Sequence, residues 1–320
     1  MYSVSDDAEI DGFATLVVSD PNGARKKTIR QPPIAEGGGS YSEPDWSPDG
    51  TKIAASFSIG NRYTGYGSDI YVVNADGSGL HRPIVEPQVD RSSPAWSPDG
   101  TKLAYVQSPD EIDIVNADGS GKQLLTTGAD PAWSPDGTKI VFARNAGGGG
   151  DMDLYVIGAD GAGLTQLTSG PPQDRAPDWS PDGRLIVFQR GQAGAGYIYV
   201  VRPDGTGLKR LSRQRFDTSP SWSPDGTKIV FAHNSDIWVM SRSGGHVRNI
   251  THTNSITKDE GTPDWQPVRV VNGTMFGTPF ADYLVGGPGN DVIDGGAGND
   301  LIAGGGGRDV LNGGPGNDTF

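Results

Sequence analysis

The chain has 320 residues, with 49 glycines, 24 prolines, no cysteine and a formal net charge of −13. That composition favours many turns and short strands over long helices, and it rules out disulfides. The charge argues against nucleic acid or an anionic membrane as partner and leaves cations and basic ligands open.

No apolar run approaches the ~20 residues of a membrane span. The front, MYSVSDDAEIDG, has neither the basic nor the apolar region of a signal peptide, so export would use another route or a segment outside this sequence. In chain order, LVV followed by SDPNGARKKTI (Ser19 to Ile29) reads as a hairpin, and MYSVSDD as the end of another. From Pro44 one unit recurs. It appears as PDWSPDGTKIAAS, PAWSPDGTKLAYV, PAWSPDGTKIVFA, PDWSPDGRLIVFQ and PSWSPDGTKIVFA, then as an incomplete PDWQPV, with tryptophans at 46, 96, 133, 179, 222 and 265. A period near forty with alternating apolar strands marks propeller blades.

Each unit reads as two hairpins. In SPDG, proline presets φ, aspartate accepts from nearby backbone N–H groups, and glycine takes the φ > 0 position. The second hairpin, DIYVVNADGSGLHRPI at Asp69 to Ile84, turns at ADG and recurs in later units. With the first strand of the last unit at Pro263 to Val268 and the rest at residues 1 to 30, the two ends would close a ring of six four-stranded blades. A tryptophan repeated at one strand position is expected to pack between blades, as is Trp238 in place of the DIY tyrosine.

These motifs resemble the TolB-like family of WD-like propeller repeats over about residues 1 to 270. The resemblance implies a propeller that serves as a protein-binding platform. Some relatives cover a peptidase active site, but the chain carries no G-x-S-x-G elbow.

The acids Asp90, Asp174, Asp217, Asp259 and Glu260 precede repeat tryptophans by five or six residues. They are candidates for a ring at one mouth of the channel, where a basic peptide or metal would sit; solvated loops are the plainer reading. The four histidines have no zinc spacing.

The tail changes period. GTPFADYLV, GGPGNDVID, GGAGNDLIA, GGGGRDVLN and GGPGNDTF follow one another from Gly277 to Phe320, with glycine and aspartate on a nine-residue beat. Such a sequence offers almost nothing for a packed core. Glycine permits tight turns that aim carbonyls at an ion, and the aspartate at position six adds a hard anionic oxygen. The tail resembles the RTX family of exported bacterial proteins. That resemblance implies a parallel β-roll in which two copies make one coil, position eight points inward, and Ca2+ sits between stacked loops.

By that pairing Asp282 works with Asp300, Asp291 with Asp309, and Asp300 with Asp318. The candidate ligand loops further comprise Gly286, Gly287, Gly289, Gly295, Gly296, Gly298, Gly304, Gly305, Gly307, Gly313, Gly314 and Gly316. Arg308 replaces asparagine in one loop, which is tolerable if the position gives only its backbone.

The sequence therefore leads to an all-β protein. A six-bladed β-propeller over residues 1–271 is followed by a short parallel β-roll over 272–320. It would be an exported, extracellular calcium-binding protein. Binding is favoured over catalysis, with a funnel hydrolase or lyase and a structural surface or adhesion segment as the alternatives.

Overall fold

The computed structural model describes residues 2–5, 16–19, 26–29, 39–61, 65–86, 89–145, 150–192, 195–234, 236–251, 262–265, 269–271, 274–277, 283–285, 290–304 and 307–320. Among these residues there are strands and turns and no helix, hence none long and apolar enough to cross a membrane.

The forty-residue repeat forms a succession of antiparallel sheets. Sheet I joins the two ends of the repeat region: Pro263–Trp265 pairs with Tyr2–Ser5, followed by Leu16–Ser19 and Lys26–Ile29. Sheet II contains Gly39–Trp46, Lys52–Asn61 and Gly65–Asn74. Sheet III contains Arg91–Trp96, Lys102–Gln107, Glu111–Asn116 and Gln123–Thr127. Sheet IV runs through Ala129–Trp133, Lys139–Arg144, Asp153–Gly158 and Thr165–Gln166. Sheet V runs through Asp174–Trp179, Ile186–Gln192, Ala195–Val201 and Lys209–Arg210. Sheet VI runs through Asp217–Trp222, Lys228–His233, Asp236–Ser241 and Arg248–Asn249.

The expectation of six four-stranded blades is thus corrected: five are complete, and sheet II has three strands among the described residues. Its outer strand shrinks to a single bridge, Val72 to His81. Pro83 follows two residues later; it has no N–H to extend the ladder and restricts Arg82 before it.

The turns follow the local chemistry of the repeat. In the third SPDG unit Asp136 Oδ1 accepts from Ser134 Oγ (2.6 Å), Thr138 N (3.0 Å) and Thr138 Oγ1 (2.9 Å), and Gly137 sits at φ 70°. The same set recurs around Asp99 and Asp225, and these hydrogen bonds hold their carboxyls below the ordinary range against the opposing effect of burial.

The apolar cores lie between neighbouring sheets. Val141, Leu154, Val156 and Leu167 of sheet IV meet Trp179, Ile186, Phe188 and Val201 of sheet V. Trp46, Trp96, Trp222 and Trp265 occupy the equivalent place at other junctions, and Trp133 and Trp238 are half-buried against their clusters.

One feature of the innermost strands is absent from the turn chemistry. In sheets II to VI the pairing slips by a bulge at the proline before each repeat tryptophan. The residue before that proline is left-handed: Glu43, Ser93, Asp130, Ala176 and Ser219 have φ between 47° and 52°. Proline breaks the ladder because it lacks a donor. Each non-glycine left-handed residue costs ~1–3 kcal/mol and persists only where its surroundings enforce it.

The tail forms two parallel ladders. Thr274–Phe276, Val292–Asp294 and Val310–Asn312 stack in one, with Arg269–Val271 antiparallel at its edge. Tyr283–Val285 and Leu301–Ala303 make the other.

Phe188 is fully buried at the junction of sheets IV and V. Phe188→Ala should lower stability by ~3–5 kcal/mol in urea unfolding, whereas exposed Lys102→Ala should change it by less than ~0.5 kcal/mol.

Candidate functional site

Two places gather polar chemistry: the stacked glycine–aspartate loops and the axis of the propeller.

In the tail, Val292 pairs with Val310 and Ile293 with Leu311, and the loops between strands follow the same register. Asp309 Oδ1 accepts from Asp291 N (3.0 Å) and Asp318 Oδ1 from Asp300 N (2.9 Å), each across 18 residues. These two expected aspartate pairs are thereby neighbours. Position eight points inward in the first four copies: Leu284, Ile293 and Ile302 are buried together, with Leu311, and Met275 of the preceding strand, against them. At position seven, Val292 and Val310 are exposed.

The cradle between loops 295–300 and 313–318 is one that only glycine permits. A Cβ on Gly314 would lie 1.7 Å from the Gly296 carbonyl oxygen, and one on Gly316 would lie 1.4 Å from that of Gly298. A Cβ on Gly295 would meet Asp300 Oδ2 at 2.5 Å and the Gly313 carbonyl at 2.8 Å. Asp300 is 2% exposed, a carboxylate enclosed largely by glycine backbone. The oxygens here are carboxylate and carbonyl, a hard donor set that suits a Ca2+-like cation. No three His, Asp or Glu side chains group as a metal site among the described residues, so carbonyls would supply much of the coordination. Gly313 lies in the second of these loops and Gly304 and Gly307 in the copy between them, while Asp282, Gly286, Gly287, Gly289 and Gly305 lie outside the described residues, as does the Asp282–Asp300 pairing.

The asparagines carry a role the sequence reading missed. Asn290 Oδ1 accepts from Arg308 N and Asn299 Oδ1 from Asn317 N, both at 2.9 Å. Position five therefore contributes its side chain to the loop stacked on it. Arg308 receives such a bond, but a guanidinium has no acceptor with which to offer one.

At the propeller axis lies a cavity of about 440 Å3 lined by the proline segments of sheets I to VI. Carboxylates bridge the sheets around it. Asp264 Oδ2 accepts from Trp46 N (2.9 Å), Asp45 Oδ2 from Trp96 N (2.5 Å) and Asp178 Oδ2 from Trp222 N (2.7 Å). A second set serves the left-handed residues. Thr262 Oγ1 accepts from Glu43 N (2.8 Å), Glu43 Oε2 from Ser93 N (2.8 Å), and Asp130 Oδ2 from Ala176 N (3.1 Å). The available cue was the variation between PDW and PAW in the repeat: the three units that carry PDW supply the three bridging aspartates.

Three of the acids expected at the mouth lie among the described residues. Asp174 and Asp217 are buried where the inner strands of sheets V and VI begin. Arg190 binds Asp174 through Nε and Nη2, both at 2.6 Å. His233 Nδ1 lies 2.6 Å from Asp217 Oδ1. Asp90 is exposed and accepts from Ser68 N (3.0 Å). Asp259 and Glu260 lie outside the described residues.

Asp45, Asp178 and Asp264 are half-buried and line the axial cavity. Burial pushes Asp178 up to about 7 and Asp264 up to about 6, and it raises Asp45 together with the charge of Asp264. Folded-state values above the unfolded ones mean that folding favours the protonated acids. Their contribution to stability is complete below about pH 4 and is lost as pH rises through 6 to 7. The melting temperature should therefore rise from pH 8 to pH 5, and Asp178→Asn should flatten that rise in a thermal scan series. An equally steep rise in the variant would contradict the assignment.

The profile of the TolB beta propeller domain matches residues 93–275, and that of the RTX calcium-binding nonapeptide repeat (4 copies) matches residues 276–311 and 285–320. No curated protein sequence matches the chain. Among solved structures, TolB from Acinetobacter baumannii superposes with a TM-score of 0.66 at 20% identity, over 83% of this chain and 66% of that one. This chain thus spans just under two thirds of that protein. A putative TolB from Agrobacterium tumefaciens gives 0.64 at 22% identity, over 83% of this chain and 94% of that one. A chain of a nidogen/laminin complex gives 0.65 at 10% identity, over 82% and 97%. At these identities the likeness is one of fold. The profile match covers more than half of the sequence, and the chain belongs to the TolB beta propeller domain family, with RTX calcium-binding nonapeptide repeats behind that domain.

Proposed function

We propose that this is an exported calcium-binding propeller protein. Residues 1–271 form a binding platform for a protein or small ligand, and residues 272–320 form a roll that folds as it takes up Ca2+. In this reading sheet II is a sixth blade whose outer strand has been reduced to the Val72–His81 bridge. Export follows from the roll's chemistry: calcium is plentiful outside a bacterial cell and scarce inside, so such a module orders after transit.

The observation that carries the proposal is the glycine cradle around buried Asp300, repeated at 18-residue intervals by hydrogen-bonded aspartates. Asp291, Asp300, Asp309 and Asp318, with the carbonyls of the glycines at positions one, two and four, would hold the ions. Asp282 and the loop of Gly286, Gly287 and Gly289 would complete the first coil. Bound calcium supplies the positive charge that lets stacked carboxylates sit together. Without it they repel, and a glycine-rich backbone loses much entropy on ordering.

Among the described residues the roll buries Leu284, Ile293 and Ile302, far fewer apolar groups than one junction of the propeller. Chelated protein should therefore lose the roll and keep the propeller. Titration of the full chain with Ca2+ should give saturable binding on the order of 10⁻⁴–10⁻³ M, together with a gain of β signal in circular dichroism. Asp300→Asn should remove part of that heat and lower the gain. A spectrum and heat unchanged by calcium, or an Asp300→Asn titration identical to the parent's, would overturn the proposal.

A further inference from the structure

We infer that the cleft between sheets V and VI binds a small organic anion, a carboxylate on an apolar stem, held by Arg202, Lys209 and Arg242. The inference gives the platform proposed above a ligand class, and it rests on that reading.

The cleft encloses about 660 Å3, within the ~300–1,000 Å3 of small-ligand pockets. Leu185, Val200 and Leu211 of sheet V form its floor, where they pack into the core shared with sheet VI. Arg202 and Lys209 line it from sheet V, and Arg242 lines it from sheet VI. Asp225 is the one carboxylate among the lining residues, and its own turn occupies it. It accepts from Ser223 Oγ (2.6 Å), Thr227 N (2.9 Å) and Thr227 Oγ1 (2.7 Å).

Departures from the repeat meet at this cleft, and they are the independent sign of a ligand. Leu185 stands where the other units have Lys52, Lys102, Lys139 and Lys228. Arg242 stands where they have Ala75, Ala117, Ala159 and Pro203, and its N–H bonds to Thr227 O as that of Ala117 bonds to Thr101 O. Arg202 takes the place of Asn74 and Asn116. The other sheets form without these changes, so blade folding does not require them. Together they take a cation off the floor and set two guanidinium groups on the walls.

The walls are already held in place. Arg242 Nη2 binds Asp182 Oδ2 (2.8 Å), and its Cζ lies 5.3 Å from the centre of the Trp222 ring. Arg202 lies over Gly207, where a Cβ would come within 2.6 Å of its Nη1, and it donates to Thr206 Oγ1 at 3.3 Å. Asp204 feels the charge of Arg202 but gives its Oδ1 to Thr206. Lys209 makes no hydrogen bond or ion pair among the described residues. Two cations thus keep donors to offer beside an apolar floor, in a chain whose net charge is −13. A carboxylate accepts from several such donors at once, and an alkyl stem behind it covers the leucines and valine.

The test is calorimetric titration of the full chain with hexanoate, with hexanol as the neutral control and acetate as the control without a stem. EGTA in the buffer removes calcium, which would itself take up carboxylate. Saturable 1:1 binding of hexanoate is expected, about tenfold or more tighter than acetate and weaker at high salt. Lys209→Gln and Arg202→Gln should each weaken it about tenfold. Arg213→Gln removes an exposed cation outside the cleft and should leave it unchanged, as should Asp300→Asn in the roll. Hexanoate heat that persists undiminished in both cleft variants would keep a binding propeller but overturn this site. Absence of saturable heat, hexanol or acetate binding as tightly as hexanoate, or an equal loss in Arg213→Gln would also overturn the inference.

Discussion

Carboxylates around the propeller axis take backbone N–H groups from the next sheet, and the arrangement of the ring depends on them. A proline in each innermost strand removes a ladder donor and forces a bulge. The bulge leaves amides facing a neighbouring sheet instead of a strand partner. Asp45, Asp178 and Asp264 accept three of them, and Glu43, Asp130 and Thr262 accept three more. Asp264 and Thr262 matter most for topology, because they tie the last inner strand to sheet II across more than two hundred residues. The adjacent pairing of Pro263–Trp265 with Tyr2–Ser5 closes the same seam. The electrostatic strain of this solution appears as raised carboxyl pKa values, so the groups that close the ring are also those that make its channel acidic.

The tail solves a different problem with the same residue types. In the propeller, glycine and aspartate finish turns, and burial between sheets supplies the stabilisation. In the roll, little can be buried beyond one inward position per repeat. Cohesion there comes from backbone bonds between coils and from the asparagine and aspartate acceptors, to which the proposed function adds a cation among the carbonyls. On the proposed function the roll's stability is conditional on that cation, whereas that of the propeller is not.

Much of this was legible because it is local. SPDG and ADG turns need only neighbouring residues, so the sheets and their order followed from the repeat. The resemblance of the nine-residue beat to RTX repeats likewise implied two copies to a coil, the register the structure adopts in Val292 to Val310. Non-local features were not legible. Arg190 and His233 pair with Asp174 and Asp217 from 16 residues away, through a cross-strand register no motif announces. The left-handed residues before the prolines depend on acceptors in another sheet, though a proline inside every inner strand was a cue for a bulge. The reduced outer strand of sheet II turned on one residue, Pro83, whose effect a repeat-based count overlooks. Asparagine at position five read as a backbone position because its partner lies 18 residues on.

Hydrogen exchange of the full chain with and without calcium tests the central claim most directly. The amides of Gly298, Ile302, Val310 and Thr319 are bonded only between coils of the roll. The account predicts that calcium protects these amides and that chelation returns them to near-intrinsic exchange, while Trp96 and Trp222 in the propeller stay protected throughout. Equal protection of the roll amides in both conditions, or a calcium response confined to the propeller, would contradict it.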